Sequence, residues 1–120
     1  MKTFIAIVFV LFSSTVIAAE GDVYFCVEEF SIEYNPQESN EIITYKPQQY
    51  KFKRTSESLL FGAGNNFFDE YTMQLTYSVG EMFSATNGTM DRFKYENGKY
   101  YYSMVMYDSI ISMSGTCSIF

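Results

Sequence analysis

A strict alternation of apolar and polar residues runs from Tyr71 to Val79. A period of two is typical of a β-strand that buries one face and exposes the other, and an amphipathic helix does not produce it. We therefore predict a strand here, with its apolar face in the core. That face consists of Tyr71, Met73, Leu75, Tyr77 and Val79.

An Asn97-Gly98 pair separates two aromatic, β-prone runs and predicts a tight hairpin. Both residues accept the positive φ angles of a two-residue type I′ turn, whose twist matches that of the flanking strands. The register of such a hairpin stacks aromatic side chains on one face. These side chains are Phe93, Tyr95, Tyr100 and Tyr102.

Shorter β-prone runs occur elsewhere in the chain, at residues 23–27, 42–45, 46–54, 59–61 and 110–120. No stretch of helical period is longer than about two turns, and the chain has no internal repeat and no linker. The runs therefore predict an all-β domain. We expect a small antiparallel meander of about six to eight strands, arranged as a barrel or as a sandwich.

The first 18 residues have the pattern of a secretory signal peptide. Lys2 supplies the positive start, an apolar run extends from Phe4 to Phe12, and Ala18 satisfies the small-residue rule for cleavage. The apolar run is about half the roughly 20 residues that span a bilayer, which disfavours a membrane anchor. We predict a signal peptide at residues 1–18 and one β domain at residues 19–120, periplasmic or secreted, with no stable membrane insertion.

The chain has two cysteines, Cys26 and Cys117, near the two ends of the predicted domain. An even pair in an exported protein predicts one disulfide, which here would join the N-terminal region to the C-terminal region. A catalytic thiol or a metal site is the alternative for these residues. Two cysteines without histidine are too few ligands for zinc, so we expect no metal and no cofactor.

Composition restricts the possible functions further. Of the 120 residues 48% are hydrophobic and 19% aromatic, which is enough for one domain with a packed core. The chain contains no His, which excludes every mechanism that uses imidazole as base, acid or metal ligand. We therefore predict that the protein is not an enzyme.

Charge indicates the class of partner. Loss of residues 1–18 removes Lys2, leaving seven basic and 14 acidic side chains and a net charge of −7. This balance argues against nucleic acid, because affinity for phosphate backbones comes largely from Lys and Arg. We predict an exported binding or interaction module for another envelope or secreted protein. A small barrel that binds an apolar ligand is one alternative.

Two sets of side chains are candidates for contact with a partner. Lys51 and Lys53, with the adjacent Arg54, form a basic cluster that suits an acidic partner. Tyr101 and Tyr107 lie on the opposite face from the stacked aromatic residues, and exposed tyrosines are efficient interaction residues.

The chain resembles a group of short exported proteins from bacteria, especially marine ones, and from their phages. The resemblance rests on the signal peptide, Cys26 after a first strand, the aromatic Asn97-Gly98 hairpin and the ending Gly-Thr-Cys-Ser-Ile-Phe at residues 115–120. It covers the two ends and the last thirty residues or so more than the middle. It implies export and a disulfide, and it implies no activity.

The chain is also similar to the periplasmic C-type lysozyme inhibitors, which are small exported β-barrels. That family has a Tyr-x-Cys near the start, a Ser-Ala-Ser-Gly-like segment later and a Cys near the end, and the corresponding residues here are Tyr24-Phe25-Cys26, the segment Ser84 to Gly88, and Cys117. The resemblance implies that Ser84 enters the lysozyme cleft. An acidic inhibitor would also be steered electrostatically toward a basic lysozyme. Lysozyme inhibition is therefore a second alternative function.

Overall fold

The structure, a computed structural model, describes residues 21–88 and 90–120. The predicted signal peptide at residues 1–18 lies outside the described residues. The described residues contain no helix long and apolar enough to cross a membrane. Their regular elements are the strands β1 Val23–Tyr34, β2 Ile42–Thr44, β3 Gln49–Arg54, β4 Ser58–Phe61, β5 Thr72–Val79, β6 Met82–Thr86, β7 Asp91–Glu96, β8 Lys99–Val105 and β9 Ile110–Ile119.

Eight of the strands form a closed antiparallel barrel. β1 pairs with β3, each strand from β3 to β9 pairs with the next, and β9 returns to pair with β1. Every pairing is antiparallel, so the barrel is the predicted meander. The prediction of an all-β fold is confirmed, and the structure is a barrel rather than a sandwich. Closure leaves the eight barrel strands without a free edge.

The ninth strand, β2, continues β3 along the same side of β1. Ile32 of β1 lies opposite Thr44 of β2, and Val27 of β1 lies opposite Gln49 of β3. From one pair to the other, both strands advance by five residues, so β2 and β3 share one antiparallel register on β1. The interruption contains Pro47, which has no backbone N–H to donate to the ladder. β2 and β3 are therefore two segments of one interrupted strand, and β2 extends the sheet beyond the barrel.

The β1–β9 pairing closes the barrel and carries the disulfide. Cys26 and Cys117 lie directly opposite each other in this ladder and are bonded, across a sequence separation of 91 residues. The predicted link between the two ends of the domain is confirmed. Two positions away from Cys117, a Cβ added to Gly115 would lie 2.2 Å from the carbonyl oxygen of Val27. The two strands can approach this closely only because residue 115 is glycine.

Aromatic side chains fill the barrel. Ten of them are buried, and their rings contact one another along the barrel, as in the stacked pairs Tyr24–Phe52 and Phe61–Phe68, with centroids 4.8 Å and 4.7 Å apart. Large rings supply more buried area per residue than aliphatic side chains, which suits a domain of this size. The ten are Tyr24, Tyr50, Phe52, Phe61, Phe68, Phe83, Phe93, Tyr95, Tyr100 and Tyr102.

The predicted core face of β5 is only partly correct. Met73 is fully buried, but Tyr77 and Val79 are exposed by 52% and 56%. The cause is a β-bulge, because the pairing with β6 shifts between Leu75 and Tyr77. One extra residue in a strand moves all following side chains to the other face. Tyr77 and Val79 therefore lie on the outside of the barrel.

The predicted hairpin is confirmed at its turn and in its register. Asn97 and Gly98 have φ angles of 52° and 78°. Tyr95 lies opposite Tyr100, as predicted. A Cβ at Gly98 would come no closer than 3.8 Å to a neighbouring atom, so the backbone angle and not space requires glycine there.

We therefore expect Gly98→Ala to lower the free energy of unfolding by about 1 kcal/mol or more, since an L-residue is strained at this φ. Equilibrium denaturation in urea measures the change. Ser103→Ala, on the exposed face of β8, is the control and should leave the midpoint nearly unchanged. An unchanged midpoint for Gly98→Ala would contradict the type I′ turn.

Candidate functional site

The longer connections of the barrel gather at one end, which we call the upper end. The segments 35–41, 62–71 and 106–109 lie there, together with the link between β2 and β3. The lower end holds the tight turns at Gly80 and Gly98 and both ends of the described chain. Binding residues lie disproportionately on loops that a rigid scaffold holds in place, so a binding site is expected at the upper end.

A pocket of about 300 Å³ opens at the upper end, and we call it the rim pocket. Its walls come from the inward face of β1, from the link between β2 and β3, from segment 62–71 and from the start of β9. Mouths of β-barrels are common places for ligand sites. The lining residues are Glu28, Ser31, Glu33, Tyr45, Gln48, Phe67, Ile111 and Met113.

A β-bulge in β1 gives the rim pocket its polar side. The pairing of β1 with β9 shifts between Glu28 and Phe30, so Glu29 is an extra residue. Before the bulge Glu28 faces inward, and after it the inward positions are Ser31 and Glu33. The other wall is held in place by a hydrogen bond of 3.0 Å from the backbone N–H of Phe67 to the side-chain oxygen of Gln48.

Glu28 is a buried carboxyl group without a basic partner in the pocket. Only 3% of the residue is exposed. Burial raises the pKa of this carboxyl, and hydrogen bonds from the backbone of Gln48 and from Ser31 offset part of that effect. Among the described residues, no Lys or Arg lines the rim pocket. The second carboxylate, Glu33, accepts a hydrogen bond from the hydroxyl of Tyr45.

Asp91 forms a separate buried polar cluster at the upper end. Its carboxylate accepts hydrogen bonds from the hydroxyls of Tyr71 and Tyr102, at 3.1 Å and 3.0 Å. Thr86 and the backbone N–H of Asn87 donate two more, at 2.7 Å and 2.8 Å. Burial raises the pKa of Asp91, but these hydrogen bonds outweigh burial and hold it below its usual value. With its acceptor sites occupied, Asp91 fastens three segments together and is a structural group.

Ser84 and Tyr101, two of the predicted binding residues, lie in one row across the outside of the barrel. Direct pairing connects Ser84 to Lys94, Lys94 to Tyr101 and Tyr101 to Ser114. The row continues to Tyr77 on β5 and to Phe30 on β1. Tyr77, Tyr101 and Phe30 are each about half exposed, at 52%, 50% and 48%.

A shallow depression of about 370 Å³ follows this row, and we call it the outer groove. Small serine side chains form its floor on β8 and β9, while Phe30 and Tyr101 stand at its sides. Its charged members are both basic, in a chain with 14 acidic residues. Its exposed members are Phe30, Arg92, Lys94, Tyr101 and Ser103, and Ser112 and Ser114 are partly buried.

The structure does not bring the other predicted binding residues to the outer groove. Lys51 and Lys53 lie on the exposed face of β3, on the other side of β1. Tyr107 lies between β8 and β9 and is 98% exposed. Arg54 does not share the surface of the two lysines, which corrects the predicted basic cluster. It points into the lower end of the barrel, where its guanidinium lies 4.6 Å from the ring centre of Phe83.

Sequence reasoning missed the rim pocket. Its carboxylates are separated by five positions, and the alternation of an uninterrupted strand would place them on opposite faces. Only the bulge at Glu29 brings Glu28 and Glu33 to one side. The one local indication was that Glu28 continues the inward alternation of Tyr24 and Cys26.

Comparisons with protein-family models, with curated proteins and with solved structures find no match for this chain. In the part of the chain that the structure describes, no group of three or more acidic, His or Cys residues could hold a metal ion. The geometry of the rim pocket and of the outer groove is therefore the basis for assigning a function.

We expect Asp91→Asn to lower the free energy of unfolding at pH 7 by about 2 kcal/mol, because an amide cannot accept all four hydrogen bonds. The pKa of Asp91 is lower in the folded protein than in the unfolded chain. The contribution of its carboxylate to stability is therefore present above the unfolded pKa of about 3.9 and is lost as pH falls through the folded pKa. The difference in free energy of unfolding between Asp91→Asn and wild type should thus shrink in acid. Denaturation at pH 7 and pH 3 tests this, with the exposed Asp108→Asn as control.

Glu28→Gln should have the opposite effect and raise stability at pH 7. The folded pKa of Glu28 is raised, so its contribution to stability is complete below the unfolded pKa of about 4.3 and is lost as pH rises through the folded pKa. The titratable groups near it are the carboxylate of Glu33 and the hydroxyls of Tyr50 and Tyr100, which are neutral at pH 7. Glu29→Gln, at an exposed neighbour, is the matched control. If Glu28→Gln were less stable than wild type at pH 7, burial would not be the dominant effect on this carboxylate.

Proposed function

We propose that the protein is an exported, non-enzymatic binding module that holds an extended acidic segment of another envelope or secreted protein in its outer groove. The observation that carries the proposal is that Lys94, Tyr101 and Phe30 lie in one row across the barrel wall and are all exposed. Large exposed apolar patches on small proteins are commonly interaction sites.

The dimensions of the outer groove favour an extended polypeptide. Phe30 and Tyr101 lie on strands separated by β9, so their backbones are about 10 Å apart at the usual strand spacing. Ser112 and Ser114 lie between them on the floor and have hydroxyls that can hydrogen-bond to a peptide backbone. An extended chain with side chains on both flanks fits such a trough.

Charge favours a segment with carboxylates. Arg92 and Lys94 line the outer groove, and none of the described acidic residues does. Lys94 lies 3.3 Å from Glu96, in an exposed pair that contributes little by itself and can exchange for another carboxylate. The surrounding negative charge of the protein limits nonspecific binding of acidic partners, so recognition would depend on contact within the groove.

The apolar area continues above the outer groove. Ile110 pairs with Val105 on one side and with Tyr34 on the other, and Tyr34 pairs with Ile42. Ile42, Val105 and Ile110 are exposed by 60%, 58% and 47%. A partner segment longer than the groove would therefore meet further apolar contacts toward β2.

The alternative functions have less support. A ligand in the barrel interior would have to displace contacting aromatic rings, so the described interior favours no such ligand. Ser84, which the lysozyme-inhibitor resemblance would place in an enzyme cleft, is a partly buried residue in the middle of β6 and not on a projecting loop. Export remains part of the proposal, and the Cys26–Cys117 disulfide supports it, since such bonds persist in oxidising compartments.

Two variants with the same change in net charge test the proposal. The first carries Arg92→Glu, Lys94→Glu and Tyr101→Ser in the outer groove. The second carries Lys51→Glu, Lys53→Glu and Tyr107→Ser, which alter charge equally and also remove one tyrosine. We expect a partner captured from envelope extract by the wild-type protein to be retained by the second variant and reduced at least tenfold with the first.

A synthetic acidic segment of the captured protein should then compete for binding with the same dependence on the two variants. Equal capture by both variants, or loss with the second alone, would overturn the assignment of the outer groove. Recovery of an active lysozyme whose inhibition depends on Ser84 would instead support the lysozyme-inhibitor alternative. Both variants change exposed side chains, and matching urea midpoints would show that each one folds.

A further inference from the structure

We propose that the rim pocket binds a small organic cation, namely a primary ammonium or guanidinium group carried on a short apolar body. This site differs from the outer groove, because Glu28, Ser31 and Glu33 line it on the inward side of β1 while Phe30 lines the groove on the outward side; the two linings share Met113. The inference does not depend on the proposed protein partner.

The shape of the rim pocket suits a small molecule. Its volume of about 300 Å³ is that of about ten water molecules and lies at the lower end of the range for ligand sites. Ile111 and Met113 form the apolar wall on β9. Phe67 and Tyr45 add aromatic surface from the segments that lie over the barrel mouth. A body the size of one aromatic or branched aliphatic group fills such a space.

The charge of the rim pocket selects a cation. Glu28 and Glu33 both line it from β1, and its lining within residues 21–88 and 90–120 includes no Lys or Arg. The partners of the Glu28 carboxyl are a backbone N–H and a hydroxyl, both neutral. A buried carboxylate costs free energy unless a cation accompanies it, so a ligand that supplies the cation gains a strong charge-assisted hydrogen bond. An anionic ligand would be repelled by both carboxylates.

The aromatic walls favour an organic cation over a metal ion. The rings of Tyr45 and Phe67 can lie against an ammonium or guanidinium group and attract it through their π-faces. Calcium takes six to eight oxygen ligands, and the described residues contain no group of three or more acidic side chains that could hold a metal. Two carboxylates among apolar and aromatic side chains match an amine better.

The cost that the ionised Glu28 imposes on the stability of the fold also favours a binding role for this residue. Burial raises the pKa of this carboxyl, so the unliganded protein is less stable with Glu28 ionised than with a neutral residue of the same shape. Sites that bind ligands commonly retain such locally unfavourable groups, whose replacement stabilises the fold and removes function. Glu29, the adjacent residue, is exposed and bears no such cost.

Titration of the oxidised protein with phenethylamine tests the inference, with 2-phenylethanol as the neutral ligand of matched shape. By calorimetry and NMR we expect saturable binding of the amine, with shifted resonances at Ser31 and Phe67, and at least tenfold weaker binding of the alcohol. Glu28→Gln and Glu33→Gln should each weaken amine binding at least tenfold, while Glu29→Gln should leave it unchanged. Because Glu28→Gln is expected to be the more stable protein, unfolding would not account for its loss of binding.

A second probe distinguishes a free small amine from a lysine side chain of a polypeptide as the natural ligand. This probe is lysine acetylated at its α-amine and amidated at its carboxyl. Stronger binding of phenethylamine would identify free small amines as the ligand class, and stronger binding of the lysine derivative would identify a lysine side chain of a polypeptide. Equal affinity for amine and alcohol, or no saturation with either amine, would overturn the inference. The variant with three changes in the outer groove should bind amine normally, so this test is independent of the proposed partner.

Discussion

The closure of the barrel along β1 and β9 is the constraint on which the rest of the structure depends. These two strands pair over most of their length, join the two ends of the domain and carry the Cys26–Cys117 bond. Without that pairing β1 and β9 would present two long unpaired edges, which invite association between chains. A disulfide that spans most of a domain also restricts the unfolded chain, and for a loop of this size the chain-entropy estimate is roughly 4 to 5 kcal/mol.

The bulge in this same pairing determines both candidate sites. In a regular strand, Phe30 would follow Glu28 into the interior, and Ser31 and Glu33 would face solvent. The extra residue at Glu29 reverses this order. It places Phe30 at the edge of the outer groove, and it brings Glu33 to the same side as Glu28. One irregular position therefore supplies an exposed aromatic residue to one surface and a second carboxylate to the other.

Features determined by neighbouring residues could be predicted from the sequence, whereas those determined by register between distant strands could not. The type I′ turn at Asn97-Gly98 depends on two residues, and the pairing of two lone cysteines depends on little else. The core face of β5 was predicted wrongly after Leu75, because a bulge follows from pairing with β6 and leaves no mark in the alternation. The row that joins Ser84 to Tyr101 likewise exists only because β6, β7 and β8 pair in one particular register.

The two buried carboxylates at the upper end show how the same residue type serves stability in one place and binding in another. Asp91 is surrounded by four donors from the protein itself, so its charge is satisfied in the folded chain and its removal leaves hydroxyls without a partner. Glu28 is buried to a similar degree but faces a pocket whose described lining residues include no Lys or Arg. A buried charge that the fold compensates only in part is a disadvantage unless something outside the chain completes the compensation. The contrast between these two groups is why we place a binding role at Glu28 and a structural role at Asp91.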